Sequence, residues 1–317
     1  MKKITVVMSI YKPKKEWLQS QLVSINNQTY KNIILLVWND CPNDNFDYEK
    51  YIKEYIIDIP FKYYIGKKNY GSNKAFELLT KKTNTDYIAY CDQDDIWELN
   101  KLEILMRKLN EKKGDLIYSN MKVIDAKNKI IANKIECVRP HQKAYIGNNI
   151  VKELFKRNFI TGCTILMKTD MAKKACPFLN NIVHDHWLGI YTAIKGKIVY
   201  EESSLINYRI HSEQQTGPLA KIDSKDDYYH KKILLSCNRY KEIKNRIEVY
   251  YNKYINSFYK WSICRKYYYE NPNILNGIIL LLKCYVDIKT TIFELILPII
   301  SDKSYKNIVK HIRKGNF

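Results

Sequence analysis

The feature that most constrains the fold is the alternation of strand and helix patterns at the start of the chain. An apolar, β-branched run from Ile4 to Ser9 leads to Pro13, which cannot donate a ladder hydrogen bond. Glu16 to Asn27 then carries apolar residues at a helical period, and Ile33 to Trp38 is a second apolar run. Strand, helix and strand in so short a stretch predict a βαβ unit, and hence a parallel sheet with right-handed crossovers.

Polar residues follow the ends of these predicted strands, where ligands bind in open parallel sheets. Tyr11 comes just after the first strand, and Asn39-Asp40 comes directly after the second. A third predicted strand over Phe61–Ile65 precedes the glycine turn Asn69-Tyr70-Gly71-Ser72-Asn73, which leads into a helix over Lys74–Lys82. The N-terminus of such a helix can face a phosphate. The pattern therefore points to an anionic ligand at this edge.

Three carboxylates end the next apolar run, Tyr87 to Cys91. Because strand side chains alternate between faces, Asp92 and Asp94 share a face if the strand geometry persists. Like charges so close raise each other's pKa unless a cation compensates, and oxygen ligands suit a hard divalent ion. The alternative is an acidic strand-to-helix turn, in which Asp95 caps a helix running from about Trp97 to Asn110.

The rest of the chain as far as about residue 217 also reads as α/β sequence. Its predicted elements are a strand over Gly114–Ser119, a hairpin over Met121–Ile131 with its tip at Asp125–Asn128, a strand over Phe159–Met167, a helix from Trp187 to Ala193 and a strand over Gly196–Glu201. After about Pro218 the sequence becomes helical and rich in Tyr and Lys. We therefore predict two regions, residues 1–217 and 218–317.

The formal net charge is +20, and from Lys221 onward 19 Lys and Arg stand against 9 Asp and Glu. Such a balance suits an anionic partner, whether nucleic acid, an anionic membrane or a phosphorylated substrate. Ile274 to Ile300 is strongly apolar but interrupted by charges and Pro298. A spanning helix needs ~20 nearly uncharged residues, so this segment is expected either to lie on a membrane or to pack on the domain.

The eight cysteines are scattered singly, without a Cys-x-x-Cys pair. This spacing is typical of reduced, cytosolic proteins rather than of disulfide frameworks or zinc sites. Cys91 and Cys163 lie in apolar runs and are predicted to be small core residues. The apolar stretch after Met1 is too short for a signal peptide, so the protein is expected in the cytoplasm.

Six motifs in this order resemble those of the inverting family 2 glycosyltransferases of the GT-A fold. They are Val6-Val7-Met8-Ser9-Ile10-Tyr11, Asn39-Asp40, Asn69-Tyr70-Gly71-Ser72-Asn73, Cys91-Asp92-Gln93-Asp94-Asp95-Ile96-Trp97, His184-Asp185-His186-Trp187 and Tyr208-Arg209-Ile210-His211. The form of the fourth motif, Lys101 and the last motif look most like the bacterial rhamnosyltransferase-like branch that builds O-antigen and capsule. The resemblance implies a Rossmann-like, mostly parallel sheet flanked by helices, with a helical C-terminal extension.

The resemblance also implies a nucleotide-sugar site with a divalent metal. Mg²⁺ or Mn²⁺ would be held by Asp94, with Asp92 and His211, against the diphosphate leaving group. The implied contacts of the nucleotide sugar are Tyr11, Asn39, Asp40, Asn69, Gly71, Asn73, Asp92 and Arg209. Asn39 stands where the family often has an acidic residue, which leaves the nucleobase open. The donor implied is dTDP-rhamnose or a UDP-hexose.

Asp185 matches the family's general base, which deprotonates the acceptor hydroxyl. Its alternative role is to cap a helix that starts at Trp187. Trp97, His186 and Trp187 are candidates for acceptor contacts, each with a packing role as the alternative, and His184 is expected to be structural. The acceptor implied is a glycan linked to a polyprenyl diphosphate at the cytoplasmic face of the membrane, which the basic C-terminal region would approach.

The charge and the predicted fold are also compatible with two other functions. A nucleic-acid-binding protein would fit the charge, but its basic residues would be clustered Arg with stacking motifs, and it would give no reason for the carboxylates. A metal-dependent nucleotidyltransferase of similar fold usually has a glycine-rich, basic loop after the first strand. Ser9-Ile10-Tyr11-Lys12-Pro13 does not supply that loop. We therefore predict a glycosyltransferase without a nucleic-acid partner.

Overall fold

The structure is a computed structural model that describes residues 1–147, 150–211, 222–247 and 252–313. It divides into an N-terminal unit, made of Met1–Leu154, Asn158–Phe178 and Val183–Ser212, and a C-terminal unit, made of Phe155–Arg157, Leu179–Ile182 and Glu213–Phe317. The predicted boundary between residues 217 and 218 lies outside the described residues.

A mixed sheet organises the N-terminal unit. Its strands are β1 (Ile4–Ile10), β2 (Ile33–Asn39), β3 (Phe61–Ile65), β4 (Tyr87–Cys91), β5 (Ile96–Trp97), β6 (Leu116–Ile124), β7 (Ile130–Ala132), β8 (Ile165–Lys168) and β9 (Ile198–Arg209). Their order is β3-β2-β1-β4-β8-β6-β9-β5, with β7 beside β6. The first four strands in this order are parallel, and β8 runs antiparallel to both of its neighbours. The predicted βαβ unit is thus confirmed.

Helices flank this sheet because the chain crosses over between parallel strands. They are α1 (Lys15–Asn26), α2 (Tyr48–Tyr55), α3 (Ser72–Lys82), α4 (Lys101–Glu111), α5 (Ile150–Lys156), α6 (Thr169–Lys174) and α7 (His184–Lys195). Leu18, Leu22 and Ile25 of α1 form one apolar face and are fully buried in the same cluster as Val6 and Met8 of β1. Burying such a side chain contributes about 1.5–3 kcal/mol, so this face fixes the helix on the sheet.

The residues after Asp95 do not form the predicted helix directly. Ile96 and Trp97 form β5, which pairs with Ile206 and Asn207 of β9, and the helix begins only at Lys101. Asp95 therefore caps no helix; its carboxylate accepts a hydrogen bond from the backbone N–H of Arg209 instead. Pairing with a strand distant in sequence overrides the local capping preference here.

Two further boundaries differ from the predictions. The predicted strand over Phe159–Met167 is shorter, because Gly162–Thr164 form a 3₁₀ turn and only Ile165–Lys168 pair as β8. Helix α7 begins at His184 with Val183 as its N-cap, so Asp185 lies inside the first turn. The interpretation of Asp185 as a helix cap is therefore wrong.

The described part of the C-terminal unit beyond residue 221 is helical. Its elements are α8 (Lys225–Tyr228), a π-helical turn (Tyr229–Leu234), α9 (Leu235–Lys244), α10 (Asn252–Glu270), α11 (Ile274–Leu281), α12 (Ile288–Ile296) and α13 (Asp302–Arg313). The apolar segment from Ile274 to Ile300 thus forms two short helices. Among the described helices, none is both long and apolar enough to cross a bilayer.

Candidate active site

The polar residues that follow the parallel strands lie at the same edge of the sheet. In the register of the sheet, Ile10 of β1 lies beside Asn39 of β2, and Met8 lies beside Cys91 of β4. Tyr11, Asn39-Asp40 and Asp92 therefore follow three adjacent strands at the same end. This is the edge at which the sequence predicts a nucleotide.

Gln93, which the sequence interpretation missed, ties two of these strand ends together. Its Oε1 accepts a hydrogen bond from the Tyr11 N–H (2.8 Å), and its Nε2 donates to the Tyr11 carbonyl (3.2 Å). The backbone of Tyr11 is thereby fixed while its side chain stays 43% exposed. An exposed ring on a fixed backbone suits a stacking contact with a ligand.

Asp40 and Asn39 hold the loops next to this edge. The buried Asp40 carboxylate accepts from the indole of Trp38 and from the N–H groups of Tyr70 and Gly71, the last at 2.7 Å. Asn39 accepts from the Cys41 N–H and donates to the Tyr63 hydroxyl, both at 2.9 Å. Both side chains thus fix loops, and a contact of either one with a nucleobase stays a prediction.

The Asn69–Asn73 turn is shaped by the same interactions. The Asn69 side chain accepts from the Gly71 N–H (2.9 Å), and Gly71 has φ +80°, a conformation that favours glycine. Gly71 is also the N-cap of α3, so the turn presents the start of that helix, including Asn73. The predicted turn is present, and its contact with a phosphate is untested.

Asp92, Asp94 and Asp95, here called the acidic cluster, adopt three different environments. Oxygen atoms of Asp92 and Asp95 and the Cys163 sulfur lie within 4.8 Å of one another. Asp94 turns instead toward His211, whose Nε2 lies 2.8 Å from Oδ2 of Asp94. Asp95 is fully buried, whereas the Asp94 side chain is 21% exposed. The carboxylate interpreted as a helix cap is thus the most buried of the three.

Burial and the repulsion of neighbouring carboxylates shift the pKa values of Asp92 and Asp95. Burial, followed by the charges of Asp94 and Asp185, raises the pKa of Asp92 to about 7. The same two kinds of cause, burial and the charges of Asp94 and Asp92, raise the pKa of Asp95 well above its ordinary value. A bound divalent ion would compensate the charge of such carboxylates.

Lys101 is a resident cation of this region and is fully buried. Its Nζ donates to the Cys163 carbonyl at 2.6 Å and lies 3.2 Å from the centroid of the Trp97 ring. Burial lowers the pKa of Lys101 to about 7, although the neighbouring thiols, Asp95 and Asp92 favour its charged form. At neutral pH this one ammonium group does not neutralise the acidic cluster.

The Arg209 guanidinium forms hydrogen bonds with other residues of the N-terminal unit. It is fully buried; Nε donates to the Asp94 carbonyl (2.7 Å), and Nη1 donates to the Asp125 carbonyl and to Asn128 Oδ1. The guanidinium thus joins the end of β9 to the acidic cluster and to the hairpin tip. These contacts favour a positioning role over the predicted pairing with phosphate.

The ligand types predicted for the metal suit a divalent ion, but the structure divides the three residues: Asp94 contacts His211, whereas Asp92 lies with Asp95 and Cys163. The carboxylates offer the hard oxygens that Mg²⁺ and Mn²⁺ bind, and His211 could add a nitrogen ligand. His211 packs its ring against Trp17 at 4.7 Å, and its buried Nδ1 has no hydrogen-bond partner among the described residues. A ring held by packing, with a nitrogen directed at Asp94, is ready to serve as a ligand.

Asp185 is held by three N–H donors at the start of α7. Its Oδ1 accepts from Asn158 Nδ2 (3.0 Å) and from the His186 N–H, and Oδ2 accepts from the Gly162 N–H (2.9 Å). Burial raises the pKa of Asp185 to about 6 despite these donors. The carboxylate is therefore mostly ionised at neutral pH and basic enough to accept a proton.

The residues around Asp185 are packed rather than exposed. Burial lowers the pKa of His184 to about 3, and its neutral ring lies 4.3 Å from Phe76. A Cβ on Gly162 would approach His184 Nε2 to 2.7 Å, so this turn requires glycine. Trp187 is fully buried and donates to the Ala175 carbonyl. The structural role expected for His184 agrees with this geometry.

The buried positions of the three acceptor candidates do not favour the predicted acceptor contacts. His186 is 4% exposed, with its Nε2 at the Leu154 carbonyl, and Trp97 is 2% exposed against Lys101. Trp187 has no exposed surface at all. A side chain without surface cannot stack on a sugar, so we interpret all three as packing residues.

Comparison with known proteins assigns the family. Residues 5–175, more than half of the chain, match the profile described as Glycosyl transferase family 2. The chain belongs to glycosyl transferase family 2. The family predicted from the six motifs is thereby confirmed, whereas the match does not distinguish a rhamnosyltransferase-like branch.

Individual members of the family resemble the chain at moderate identity. An uncharacterized glycosyltransferase of Rickettsia conorii is 29% identical over 220 residues, which are 67% of this chain but 34% of that protein. The Escherichia coli protein named UDP-Glc:alpha-D-GlcNAc-diphosphoundecaprenol beta-1,3-glucosyltransferase WfgD is 27% identical over 189 residues, 59% of this chain and 69% of its own length. The chain therefore spans only about a third of the first of these relatives.

A solved structure supports the fold. S. aureus TarS in complex with UDP-GlcNAc superposes with a TM-score of 0.58 at 12% identity, covering 99% of this chain and 93% of that one. At this identity the likeness concerns the fold alone. The family 2 member described here thus has the predicted GT-A architecture with a helical C-terminal region.

Asn158, Asp95 and Gln93 were not recognised from the sequence as site residues. Gln93 and Asp95 lie inside the fourth motif, so their positions were a usable signal. Asn158 lies outside every motif and acts on Asp185 from 27 residues away. Its role depends on the turn that precedes β8 and has no local signature.

Proposed function

We propose that this family 2 member is an inverting, metal-dependent glycosyltransferase. It transfers a hexosyl or deoxyhexosyl group from a nucleotide-diphosphate sugar to a hydroxyl group of a glycan acceptor. The observation that carries the proposal is a short path of contacts from Asp185 to the acidic cluster. Asp185 accepts from the Gly162 N–H, and the sulfur of the next residue, Cys163, lies within 4.8 Å of oxygen atoms of Asp92 and Asp95. On this basis we propose that the metal-binding carboxylates and the base act in one site.

The residues divide the chemistry between them. Asp94 and His211, with Asp92, would hold Mg²⁺ or Mn²⁺, which when bound neutralises the charge that develops on the departing diphosphate. Asp185 accepts the proton of the acceptor hydroxyl as that oxygen bonds to the anomeric carbon. The bond from this carbon to the diphosphate breaks on the opposite face, so the configuration inverts. A positioned base of this kind contributes about 10²–10⁴-fold.

The donor we propose is a UDP-hexose or dTDP-rhamnose, and the acceptor is a glycan on a polyprenyl diphosphate. Support for this chemistry comes from the names of the similar proteins: TarS was crystallised with UDP-GlcNAc, and WfgD is named for a UDP-Glc donor and a diphosphoundecaprenol acceptor. The form of the fourth motif is what supports rhamnose. Synthesis of a bacterial surface polysaccharide, such as O-antigen or capsule, is the corresponding role.

If the acceptor is attached to a lipid, sugar transfer takes place at the cytoplasmic face of the membrane. The C-terminal unit has an exposed apolar surface that could contact this membrane. On α12, Ile288, Ile292 and Ile296 are 46–58% exposed along one face. On α11, Ile274 and Leu275 are still more exposed, at 84% and 67%. We propose that this apolar face lies on the membrane surface.

The charges of this segment agree with an anionic membrane. Its two acids are used within the unit: Asp287 caps α12 through the Thr290 N–H, and the buried Glu294 pairs with Arg265. Lys289, by contrast, is exposed. A face that is apolar, and whose exposed charge is positive, fits anionic lipid better than a second copy of so basic a chain.

Donor hydrolysis tests the catalytic proposal. A panel of UDP- and dTDP-sugars is incubated with the full chain and Mn²⁺, and the release of nucleoside diphosphate is measured. We expect hydrolysis of at least one donor, its loss with chelator and in Asp94→Ala, and its retention in Asp86→Ala, which removes an exposed carboxylate of the same unit. Metal-independent hydrolysis, or no binding of any donor, would contradict the proposal.

Flotation with liposomes tests the membrane contact. Ile292→Asp should reduce binding to vesicles that contain anionic lipid, whereas Ile131→Asp, at an equally exposed isoleucine of the N-terminal unit, should not. Equal binding of both variants and of the wild type would exclude this face as the contact.

A further inference from the structure

Two cations of the C-terminal unit lie on one side of a continuous helical segment. Lys232 is in the π-helical turn Tyr229–Leu234, and Arg239 follows in α9. Seven residues are about two helical turns, so both side chains and the intervening Ser236 lie on similar sides of the segment. A π-helical turn frequently marks a functional site.

A third cation, Arg265 of α10, is fully paired beside them. Its Nε donates to Glu294 Oε2 at 2.7 Å, and its Nη1 donates to the Ser236 hydroxyl at 2.8 Å. The other Glu294 oxygen accepts from Arg265 Nη2 and from the Tyr228 hydroxyl. Glu294 thus neutralises Arg265, and three hydrogen bonds engage its two oxygen atoms.

Lys232 and Arg239 have no such partner. Both side chains are half-buried, and no carboxylate of the described residues forms an ion pair with either. Arg239 donates through Nε to the Asn181 carbonyl (3.2 Å), and nearby Glu242 is bound instead by the N–H and side-chain amide of Asn181. We call Lys232, Arg239 and Arg265 the basic cluster.

Lys232 and Arg239 are destabilised as cations by burial and by neighbouring positive charge. Burial, with the charges of Arg239 and Arg265, lowers the pKa of Lys232. Burial also lowers the pKa of Arg239, and Arg265 adds to this shift. Partly desolvated cations that repel one another are unfavourable without an anion.

We propose that Lys232 and Arg239 form a binding site for a phosphate or diphosphate group. The guanidinium offers a planar pair of donors that matches two phosphate oxygens, and the ammonium adds a point charge. Together the two residues supply the two positive charges that a phosphate dianion needs. The group can come from a polyprenyl diphosphate, in which case the site rests on the proposed function, or from a membrane-lipid headgroup.

Calorimetric titration of the full chain with pyrophosphate tests the site. Chelator and the Asp94→Ala background remove metal-dependent binding in the N-terminal unit. We expect Lys232→Met and Arg239→Met each to weaken pyrophosphate binding by about 10- to 100-fold, the usual effect of losing a charged hydrogen bond. Lys241→Met, at an exposed lysine of α9, should bind like the wild type.

The folding of the variants is checked by their thermal unfolding. Removing a half-buried cation that no carboxylate of the described residues neutralises should leave the melting temperature unchanged or raise it, so weakened binding will not reflect unfolding. Wild-type affinity in both variants, or no binding of pyrophosphate at millimolar concentration, would overturn the proposal.

Two further ligands separate the sources of the phosphate. A short-chain prenyl diphosphate and vesicles of phosphatidic acid are each titrated with the wild type and with Arg239→Met. Loss confined to the prenyl diphosphate identifies the acceptor lipid, and loss confined to the vesicles identifies a membrane headgroup. Donor hydrolysis is measured in the same variants and should be unaffected, so failure of this site and failure of the catalytic proposal are distinguishable.

Discussion

The two units bury charge in opposite balance. In the N-terminal unit the acidic cluster and Asp185 outnumber Lys101, the ammonium group that interacts with Asp92 and Asp95. In the C-terminal unit the basic cluster outnumbers Glu294. A buried group that pairs within the protein stabilises the fold, whereas an excess of one sign calls for a ligand of the other sign. This difference is the reason that we propose a cation as the ligand of one unit and a phosphate as the ligand of the other.

The two units also differ in how completely a charged pair is buried and hydrogen-bonded. Arg265 and Glu294 are 5% and 2% exposed and satisfy each other with two hydrogen bonds. The side chains of Asp94 and His211 are 21% and 10% exposed and meet at a single contact. Complete pairing away from solvent leaves nothing for a ligand to bind, while a partly exposed pair can open to a metal.

The largest expected effect comes from removing the proposed base of the N-terminal unit. Asp185→Asn should lower sugar transfer by about 10²–10⁴-fold, because the amide cannot accept the hydroxyl proton, while donor affinity is kept. Transfer is measured with a lipid-linked acceptor, and donor affinity by calorimetry. Asp86→Asn serves as the control. Transfer at the wild-type rate in Asp185→Asn would remove the assignment of the base.

A second change breaks the complete pair in the C-terminal unit. Glu294→Gln leaves the Arg265 charge buried without a counterion and should lower the free energy of unfolding by about 3–5 kcal/mol. Glu270→Gln, at a partly exposed glutamate near Lys266, should cost at most about 1 kcal/mol. Urea unfolding followed by circular dichroism compares them. Recovery in Arg265→Met/Glu294→Met would confirm that the unpaired charge causes the loss.

The pH dependence of sugar transfer tests whether Asp185 is the base of the N-terminal unit. Asp185 must be ionised to act as a base and has a pKa of about 6. Log kcat/KM should therefore be level above pH 7 and fall about tenfold per pH unit below pH 6. Asn158 lowers this pKa through its hydrogen bond, so Asn158→Ala should move the fall to higher pH. An unshifted profile in that variant would argue that another group is titrating.

The smallest expected effect is the local stabilisation of each unit by its own ligand. A ligand at five times its dissociation constant stabilises the state that binds it by about 1 kcal/mol. In hydrogen exchange, Mn²⁺ should slow peptides around Asp92 and His211, and pyrophosphate with chelator should slow peptides around Lys232 and Arg239. Protection of the same peptides by both ligands would contradict the division between the units.

Much of the N-terminal unit could be predicted because its signals are local. The apolar runs of β1, β2 and β4 and the helical period of α1 are properties of consecutive residues, and all four elements occur where they were predicted. The motifs that identify the family likewise stand at strand ends, where a short sequence is enough. The separation of a basic, helical C-terminal region was visible in composition alone.

Other residues could not be understood in this way because their partners are distant in sequence. Asp95 has the local pattern of a helix cap, yet it binds the backbone of Arg209 because β5 pairs with β9. Arg209 seemed free to bind phosphate, yet the acidic cluster and the hairpin tip engage its guanidinium. Lys232 and Arg239 were two basic residues among many.

The sequence by itself thus determined the family, the parallel core and the carboxylates that carry the proposed chemistry. Only the tertiary structure decided which of these carboxylates is buried, that Gln93 and Asn158 position the site, and which cations have no carboxylate partner among the described residues. The physical reason is that strand and helix patterns depend on neighbours along the chain. Burial, hydrogen bonding and charge balance depend on neighbours in space, which the sheet and the helix packing bring together.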